Sequence, residues 1–342
     1  MSITKTTLSH IAEAAGVSLS TVDRVLNRRG GVSPKKEAKV LECAQQLNLD
    51  RRLFKGYLKL LRVAVVMQSP KNPFFKRLRD EFTDYTATHT DLRLSCFVQY
   101  VNIVNPSQTE AELARIAQSY DAMVIVGPNT APLRRQLKAI ASHIPVITLV
   151  SDIPQSGRLA YVGPDNRKAG RVAGELIGRF LGPTGGDVLI LLGLHQYHGH
   201  EEREMGFRAL LRERFSQCRI VDMVESNEDQ ALAGKLVRDA FWKNPNIRAI
   251  YNISAGNSAI VKALKSLGVL EQTVVVTHEL TPDRRALLQE GHIDAIIDQS
   301  PRQEVERAIE SLAQYFNRLD QPLVDQTYTP FQIFLRENCP DD

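Results

Sequence analysis

Long apolar runs are missing from this chain of 342 residues. No uninterrupted apolar stretch reaches the roughly 18 residues of a membrane-spanning helix, and no apolar segment near the start resembles a secretion signal. The four cysteines are widely scattered and lack the C-x-x-C spacing of a zinc or redox site. We therefore expect a cytoplasmic protein with reduced, structural thiols.

Motifs of the common enzyme classes are also missing. The sequence has no G-x-S-x-G nucleophile turn, no H-E-x-x-H zinc helix and no G-x-G-x-x-G after a predicted strand. The string Gly182-Pro-Thr-Gly-Gly186 lacks the Gly-Lys-Ser/Thr of a phosphate loop, so we interpret it as a turn before a strand. We predict no catalytic residue and no cofactor.

Charge is distributed unevenly along the chain. The first 62 residues hold twelve lysines and arginines against five acidic residues, whereas the whole chain has a net charge of only +4. The rest of the chain is therefore mildly acidic. A basic N-terminal segment in front of an acidic body is typical of proteins that bind the phosphate backbone of nucleic acids.

Residues 7–27 have the spacing of a helix-turn-helix unit. Apolar residues at i, i+3, i+4 and i+7 predict a first helix, and Gly16 supplies the positive φ that a tight turn needs. Ser18 is a natural N-cap for a second helix, which presents short polar side chains and Arg24 outward. Ser33-Pro34 predicts the start of a third helix. A helical bundle without a DNA partner would show the same periodicity, but the basic charge favours DNA.

This segment resembles the headpiece of lactose-repressor (LacI) family transcription regulators. The strings that carry the resemblance are A-x-x-A-G-V-S, T-V-x-R-V-x-N and V-S, all within residues 12–33. The resemblance implies that Leu19, Ser20 and Arg24 face base edges in the major groove. The residues that would contact phosphates or brace the headpiece are Thr7, Ser18, Thr21, Asn27 and Ser33.

Residues 51–61 are predicted to form the hinge between the headpiece and the body. The resemblance implies a leucine that wedges into the minor groove of the operator, and Leu58 lies near that position. Lys55 and Gly56 stand where small helix formers are expected. We therefore predict a weaker or differently ordered hinge, and whether it forms a helix stays open.

From Arg62 onward, short aliphatic runs alternate with amphipathic stretches, which predicts parallel sheets built from βαβ units. The predicted strands are Val63–Met67, Leu92–Val98, Ala122–Val126, Val146–Val150, Asp187–Leu192, Arg219–Val224, Ala249–Asn252, Thr273–Thr277 and Ala295–Asp298. A turn-rich crossing at Tyr161–Asn166 divides this body into two lobes, and such bodies bind ligands in the cleft between the lobes.

The predicted fold class is α/β, with an N-terminal three-helix helix-turn-helix headpiece followed by a two-lobed domain with parallel sheets. The predicted domains are a headpiece at 1–50, a hinge or linker at 51–61 and a sugar-binding effector and dimerisation domain at 62–342. Within that domain, the predicted N-lobe comprises about 62–163 plus 300–322, and the C-lobe about 164–299 plus 325–338.

The order of these elements resembles the type I periplasmic-binding-protein fold of ribose-binding proteins, which forms the effector domain of the same regulator family. The strings that carry this resemblance are Asn72-Pro-Phe-Phe75, Asp152, Arg203-Glu-Met-Gly-Phe207, Tyr251-Asn252, His278-Glu279 and Gln299. The residues that it implies for effector binding are Asn72, Phe74, Phe75, Asp152, Arg203, Asn252, Glu279 and Gln299.

The chemistry of these residues suits a sugar. Aromatic faces can stack on the C–H groups of a sugar ring, and planar carboxylate, amide and guanidinium groups can bind neighbouring hydroxyls. The polar residues fall after strand ends or on crossovers, where a cleft would collect them. The alternative is that Phe74 and Phe75 are core residues and that the polar residues are ordinary caps.

Three histidines, His195, His198 and His200, invite a metal hypothesis. Their H-x-x-H-x-H spacing lacks the i, i+4 geometry that lets two imidazoles on a helix share one ion. We predict histidines that line a cleft or face solvent, and no metal site.

Together these features predict a cytoplasmic, ligand-responsive transcription regulator, most simply a repressor of genes for carbohydrate uptake or breakdown. Its partners would be a double-stranded operator with an inverted repeat, a small carbohydrate effector and a second copy of the chain, as a homodimer or a tetramer. The alternative is the solute-binding protein of a sugar transporter, which has no use for a basic headpiece. The sequence leaves open whether the effector is a neutral sugar, a sugar phosphate, a polyol or a sugar acid.

Overall fold

The computed structural model describes residues 7–26, 29–47, 59–68, 73–102, 106–319, 322–324 and 326–341. Three of the predicted site residues, Asn27, Leu58 and Asn72, lie outside this set, as does most of the predicted hinge. Contacts divide the chain into two compact units, Met1–Leu61 with His89–Ser95, and Arg62–Thr88 with Cys96–Asp342.

The first unit contains the predicted three-helix headpiece. Its helices are α1 (Leu8–Ala15), α2 (Leu19–Leu26) and α3 (Pro34–Gln46). Helix α1 ends at Gly16, which has a φ of 63° and donates its backbone N–H to the carbonyls of Ala12 and Glu13. The three helices enclose a small apolar core formed by Ile11, Ala12, Ala15, Val22, Val25, Val40, Cys43 and Ala44.

The body of the chain is a series of alternating strands and helices, nearly all of which lie in the second unit. Its described strands are β1 (Leu61–Met67), β2 (Leu94–Tyr100), β3 (Ala122–Ile125), β4 (Val146–Leu149), β5 (Ala160–Pro164), β6 (Gly186–Leu192), β7 (Cys218–Glu225), β8 (Ile247–Asn252), β9 (Val274–His278), β10 (Ala295–Gln299), β11 (Gln326–Thr329) and β12 (Phe331–Phe334). Its described helices are α4 (Pro73–Thr88), α5 (Pro106–Ser119), α6 (Ala131–Ala141), α7 (Asn166–Leu181), α8 (His198–Arg214), α9 (Gln230–Lys243), α10 (Asn257–Leu267), α11 (Pro282–Gln289) and α12 (Pro301–Tyr315).

The strands form two six-stranded sheets, one for each lobe. The first sheet has the order β11-β5-β4-β3-β1-β2, and the second has the order β12-β10-β9-β8-β6-β7. The pairs β1–β3, β3–β4, β4–β5 and β5–β11 are parallel, and so are β7–β6, β6–β8, β8–β9 and β9–β10. Strand β12 runs antiparallel to β10. The predicted α/β class with two lobes of parallel sheet is confirmed.

Two assignments at the lobe boundary need correction. The segment predicted as a turn-rich crossing holds strand β5, in which Tyr161 and Val162 are buried beside β4. Gly163 and Pro164 suggested a turn, but a proline at the end of a strand leaves the pairing intact. Residues 325–338 do not all belong to the second lobe, because β11 pairs with β5 and only β12 joins the second sheet.

The chain therefore passes between the lobes after β5, after β10 and between β11 and β12. Parallel strands of each lobe end at the edge of the sheet that faces these crossings, which brings their following loops together. The predicted strand at Leu92–Val98 begins two residues later, because Thr90–Leu92 form a 3₁₀ turn. Among the described helices, none is long and apolar enough to cross a membrane.

Candidate functional site

A cavity of about 550 Å³, including its open mouth, lies where the strands of the two lobes end. Five predicted ligand-binding residues line it: Phe74, Phe75, Arg203, Glu279 and Gln299. They come from the start of α4, the second turn of α8 and the ends of β9 and β10. Residues more than 120 positions apart in sequence thus meet in one cleft.

Arg203, Glu279 and Gln299 form a hydrogen-bonded cluster on the second-lobe side. Arg203 Nη2 donates to Gln299 Oε1 over 3.3 Å, and Gln299 Nε2 donates to Glu279 Oε1 over 3.1 Å. Arg203 Nη1 lies 3.6 Å from the same Glu279 oxygen. The side chain of Arg203 is only 3% exposed, so these partners, and not water, stabilise its positive charge.

Arg284 also holds the carboxylate of Glu279 in place. Arg284 Nη1 donates to Glu279 Oε2 over 2.7 Å and to the carbonyl of His278 over 2.9 Å. The backbone of Glu279 has a φ of 60°, a conformation that costs free energy in a non-glycine residue. The surrounding bonds maintain this conformation, which aims the carboxylate into the cleft.

Asn166, the first residue of α7, connects Arg203 with the first lobe. Arg203 Nε donates to Asn166 Oδ1 over 2.7 Å. Asn166 Nδ2 in turn donates to the carbonyl of Val150 and to the hydroxyl of Tyr161, each over 3.2 Å. Asn166 follows β5 directly, so this network lies where the chain passes from the first lobe to the second.

The first-lobe side of the cleft is apolar or neutral. Phe74 and Phe75 are nearly buried and pack edge to face, with ring centroids 5.7 Å apart. The other described first-lobe residues that line it are Gln68, Val126, Val150 and Ser151. Every titratable side chain found in the described lining therefore belongs to the second lobe.

Several hydrogen bonds join the lobes in this conformation. Gln68 Nε2 donates to the Tyr197 hydroxyl over 2.8 Å, and the N–H of Asn129 donates to the carbonyl of Gln196 over 2.7 Å. The N–H of Gly199 donates to Ser151 Oγ over 3.0 Å. All three bonds end in the loop between β6 and α8 or in the first turn of α8. They would break if the two lobes moved apart.

Two predicted residues do not line the cleft. Asp152 is held beside Arg158, with atoms 2.6 Å apart, and lies at a smaller polar depression next to the cleft. Asn252 is fully buried and donates to the carbonyl of Ser254 and to Asn257 Oδ1, both over 3.0 Å. In each case a residue one or two positions away, Ser151 or Ser254, lines the cleft.

Other lining residues were not predicted from the sequence as ligand-binding residues: Gln68, Val150, Ser151, Asn166, Tyr197, His200, Glu228 and Ser254. Gln68, Ser151 and Ser254 could have been found by taking the first polar residues after each predicted strand end. Glu228 follows β7 and accepts a hydrogen bond from Ser254 Oγ over 3.0 Å. Burial and the neighbouring Glu279 raise the pKa of Glu228.

Glu304 lies in the first turn of α12 and is fully buried, with no hydrogen-bond partner for either carboxyl oxygen within the described part of the chain. Burial, and next the charge of Asp298, raise its pKa to about 8. Arg203 and Arg77 act in the opposite direction, and Glu279 adds to the rise. Glu304 is therefore largely protonated at neutral pH.

We expect Glu304→Gln to stabilise the protein at neutral and higher pH. In the folded chain Glu304 keeps a proton that it releases in the unfolded chain above a pKa of about 4.5. The contribution of Glu304 to the free energy of unfolding therefore falls as pH rises from about 4.5 to about 8. At about 1.4 kcal/mol per pH unit, the variant should gain on the order of 3 kcal/mol at pH 7 and almost nothing at pH 4.5.

Urea unfolding at several pH values measures this difference, and Glu306→Gln on the same helix is the control. Comparing each variant with the wild-type protein removes the contributions of other titrating groups. A constant difference between Glu304→Gln and wild type across this pH range would contradict the prediction.

The headpiece presents a polar face on α2. Leu19 is half exposed, and Ser20 and Arg24 are exposed beside it. Ser18 Oγ accepts the N–H of Thr21 over 3.2 Å, as expected for the N-cap. Thr7, Ser18 and Ser33 are exposed, and Thr21 is half-buried.

Asp23 is the acidic residue on this face. It pairs with Arg29, with Arg29 Nη1 2.9 Å from Asp23 Oδ2. Arg24 Nε donates to the carbonyl of Gly30 over 3.0 Å, which places its guanidinium next to the loop before α3. The pairing offsets the acidic charge on a surface that is otherwise suited to phosphates.

The three histidines after β6 have separate environments. His198 Nδ1 lies 3.2 Å from Glu201 Oε2, His195 is exposed, and His200 lines the cleft. Within the described ranges, no group of three or more histidine, cysteine or acidic side chains could hold a metal ion.

Two known families match this chain, one over the basic N-terminal segment and the other over the body that follows it. Residues 63–319 match the periplasmic binding protein domain, and residues 7–50 match the bacterial regulatory proteins of the lacI family.

Curated relatives resemble the body over most of their length. A D-ribose/D-allose-binding protein of Pseudomonas aeruginosa is 24% identical over 251 residues, which cover 70% of this chain and 76% of that protein. A ribose operon repressor of Halalkalibacterium halodurans is 25% identical over 260 residues, covering 72% and 71%. A glucose-galactose binding protein of Geobacillus stearothermophilus has the same fold, with a TM-score of 0.74, 24% identity and coverage of 83% of this chain and 100% of that one.

Proposed function

Since this chain belongs to the periplasmic binding protein family and carries the DNA-binding domain of the lacI family of bacterial regulatory proteins, we propose that it is a cytoplasmic, homodimeric repressor controlled by a neutral monosaccharide. The chain is a DNA-binding, sugar-responsive regulator. The proposal adds the class of its ligand, the direction of its response and its assembly.

The observation that carries the proposal is the composition of the cleft. Two phenylalanine rings stand on one side, and the planar polar groups of Arg203, Glu279 and Gln299 stand on the other. An aromatic ring packs against the C–H face of a sugar, while planar groups bind pairs of hydroxyls. Both walls are needed at once, so the ligand binds when the lobes are together.

A neutral ligand fits the charges better than an anionic one. Arg203 already donates to Asn166 and Gln299 and lies beside Glu279. Among the described lining residues, no other arginine or lysine is present. A sugar phosphate would have to compete with Glu279 for Arg203 and would place its charge in a largely water-excluded cleft.

The relatives that bind D-ribose or D-allose, or carry the name of a ribose operon repressor, make these two sugars the first to test. We propose that the sugar holds the lobes in one arrangement and thereby changes the spacing of the two headpieces in the dimer. The coupling equals the difference in sugar affinity between the two lobe arrangements. The protein releases its ligand unchanged and catalyses no reaction.

The decisive experiment selects duplexes from a random library with the purified full-length chain and measures their affinity. We expect an inverted repeat of about 14–20 bp, bound by two chains, because one headpiece offers few base contacts. Affinity should fall by a factor on the order of 1,000 between 50 and 200 mM salt, since bound phosphates release counterions.

Addition of D-ribose or D-allose should lower operator affinity by about 10- to 100-fold. Ribose 5-phosphate at the same concentration is the control and should have no effect. A chain that binds the sugars but no duplex at 50 mM salt would instead function as the solute-binding protein of a transporter. Arg24→Ala distinguishes base reading from backbone attraction, because it should weaken the selected site more than an unrelated duplex.

A further inference from the structure

Val150 has a backbone conformation that its side chain disfavours. Its φ is 67°, in the left-handed region, and among the described non-glycine residues with a positive φ it is the only one with a branched Cβ. A β-branched residue in this region costs free energy, and such strain is concentrated at functional sites. Val150 follows β4 directly and lines the cleft, where it is partly exposed. The strain therefore indicates a role in the cleft.

Hydrogen bonds within the fold hold the backbone of Val150 in this conformation. Its N–H donates to the carbonyl of Val162 over 2.9 Å. Its carbonyl accepts hydrogen bonds from the Tyr161 hydroxyl and from Asn166 Nδ2, each over 3.2 Å. A carbonyl oxygen has two lone pairs, so these two bonds use its accepting capacity. The surface that Val150 has left to offer a ligand is therefore apolar carbon.

Neighbouring residues extend this apolar surface. Strands β3 and β4 are adjacent and parallel, and Val126 follows β3 as Val150 follows β4. Val126 also lines the cleft, and its N–H donates to the carbonyl of Val66 over 3.0 Å. Phe74 and Phe75 line the same first-lobe side. Since the hydrogen-bonded cluster lies on the second-lobe side, a bound sugar directs hydroxyls to one lobe and C–H groups to the other.

We propose that Val150 is a specificity-determining residue, which packs against a sugar carbon that bears no hydroxyl and excludes sugars with a hydroxyl at that position. This inference rests on the proposed function, because it concerns the ligand of the same cleft. A hydroxyl there would be buried against valine methyl groups without a hydrogen-bond partner, which costs free energy. The ligand class is thereby narrowed to pentoses, whose six-membered ring contains a methylene, and to deoxy sugars.

The test measures affinity for D-ribose by calorimetry in the full-length wild type, Val150→Thr and Val150→Gly. Threonine is β-branched and has nearly the shape of valine, but it places a hydroxyl against the sugar. We expect Val150→Thr to lose about 10- to 100-fold in affinity, because binding buries that hydroxyl without a partner. Val150→Gly should lose about 10-fold, since it removes one small apolar contact.

Gln155→Gly is the matched control for backbone strain. Gln155 lies in the same loop, has a φ of 62°, and is exposed outside the described cleft lining. Both glycine variants relieve a left-handed backbone, so thermal melts without sugar should show each at least as stable as wild type. Only Val150→Gly should bind sugar more weakly. A clear loss of thermal stability in Val150→Gly alone would show that Val150 is retained for packing and would contradict the proposal.

Further sugars distinguish the two sources of the unsubstituted carbon. In its six-membered form, D-allose carries a hydroxymethyl group on the ring methylene of D-ribose. If that methylene lies against Val150, wild type should prefer D-ribose to D-allose by about 10-fold or more, and Val150→Gly should reduce this preference. If a deoxy carbon lies there, wild type should prefer one monodeoxy ribose to D-ribose, and Val150→Thr should reverse this preference. Preferences that do not change with residue 150 would contradict the proposal.

The outcomes separate this inference from the proposed function. If wild type binds none of these sugars, the proposed ligand is wrong and this inference falls with it. If wild type binds and Val150→Thr binds equally well or more tightly, only the role of Val150 is wrong, because a hydroxyl is then accepted at this wall of the cleft.

Discussion

Gly170→Ala will force helices α7 and α8 apart and destabilise the second lobe by about 2 kcal/mol or more. A methyl group at this position would overlap the backbone carbonyl of Arg203. Backbone atoms cannot rotate away as a side chain can, so the two helices must separate. Alanine also raises helix propensity by about 1 kcal/mol, and the predicted loss is what remains after that gain.

This substitution should also weaken sugar binding, because it displaces the backbone of Arg203. Gly174→Ala is the matched control, since it lies one turn further along the same face of α7. Its methyl would lie 3.3 Å from Leu210 Cδ2 and 3.3 Å from the carbonyl of Phe207, which small shifts can relieve. We expect its stability to be near that of the wild type.

Urea unfolding gives the stability of both variants, and calorimetry with D-ribose gives their affinity. The prediction depends on contact with Arg203 and not on glycine itself. Equal stability of Gly170→Ala and Gly174→Ala would therefore show that α7 and α8 can adjust their spacing freely. A stable Gly170→Ala with normal affinity would contradict both parts of the prediction.

Arg203→Met will abolish the response to sugar while leaving the DNA-binding domain intact. The guanidinium of Arg203 contacts Asn166, Gln299 and Glu279. Its removal takes one of two neighbouring cations from the buried carboxylate of Glu279, which keeps Arg284, and takes this donor from the amide oxygens of Asn166 and Gln299. Truncating one partner of a buried charged pair typically costs about 2–5 kcal/mol. We expect sugar affinity to fall by about 100-fold or more.

The measurement is release of the selected operator as D-ribose is added. Arg203→Met should stay bound to DNA at sugar concentrations that release the wild type. Arg203→Lys should give an intermediate response, because lysine keeps the charge but loses the planar fork. Arg208→Met is the matched control on α8, since Arg208 pairs at the surface with Glu204. Normal release by Arg203→Met would remove this residue from the sugar site.

The contact between Arg203 and Asn166 suggests how the two ends of the response are linked. Asn166 is bonded to Val150 and Tyr161 of the first lobe, and Arg203 belongs to the second. A sugar that contacts Arg203 therefore stabilises the geometry of the crossing after β5. Three further bonds across the cleft, including that from Gln68 to Tyr197, accompany the same arrangement.

The sequence correctly placed in the cleft several residues that directly follow a predicted strand or begin a predicted helix. Glu279 and Gln299 follow from this rule, because the ends of parallel strands meet at one edge of a sheet. The rule failed at Asp152, since Val150 adopts a φ of 67° and the chain turns so that Ser151 reaches the cleft. It failed at Asn252, which instead braces the turn before α10 through Ser254 and Asn257.

The sequence by itself determined the three-helix headpiece, its basic charge, the α/β class and the division into two lobes. These properties depend on local periodicity, turn residues and net charge, which are readable along the chain. Tertiary structure alone decided that β5 is a buried strand, that β11 and β12 belong to different sheets, that Asn166 lines the cleft, and that His200 lines it while His195 and His198 do not. The reason is that sheet partners and the direction of a side chain depend on residues far away in sequence, whose positions only packing fixes.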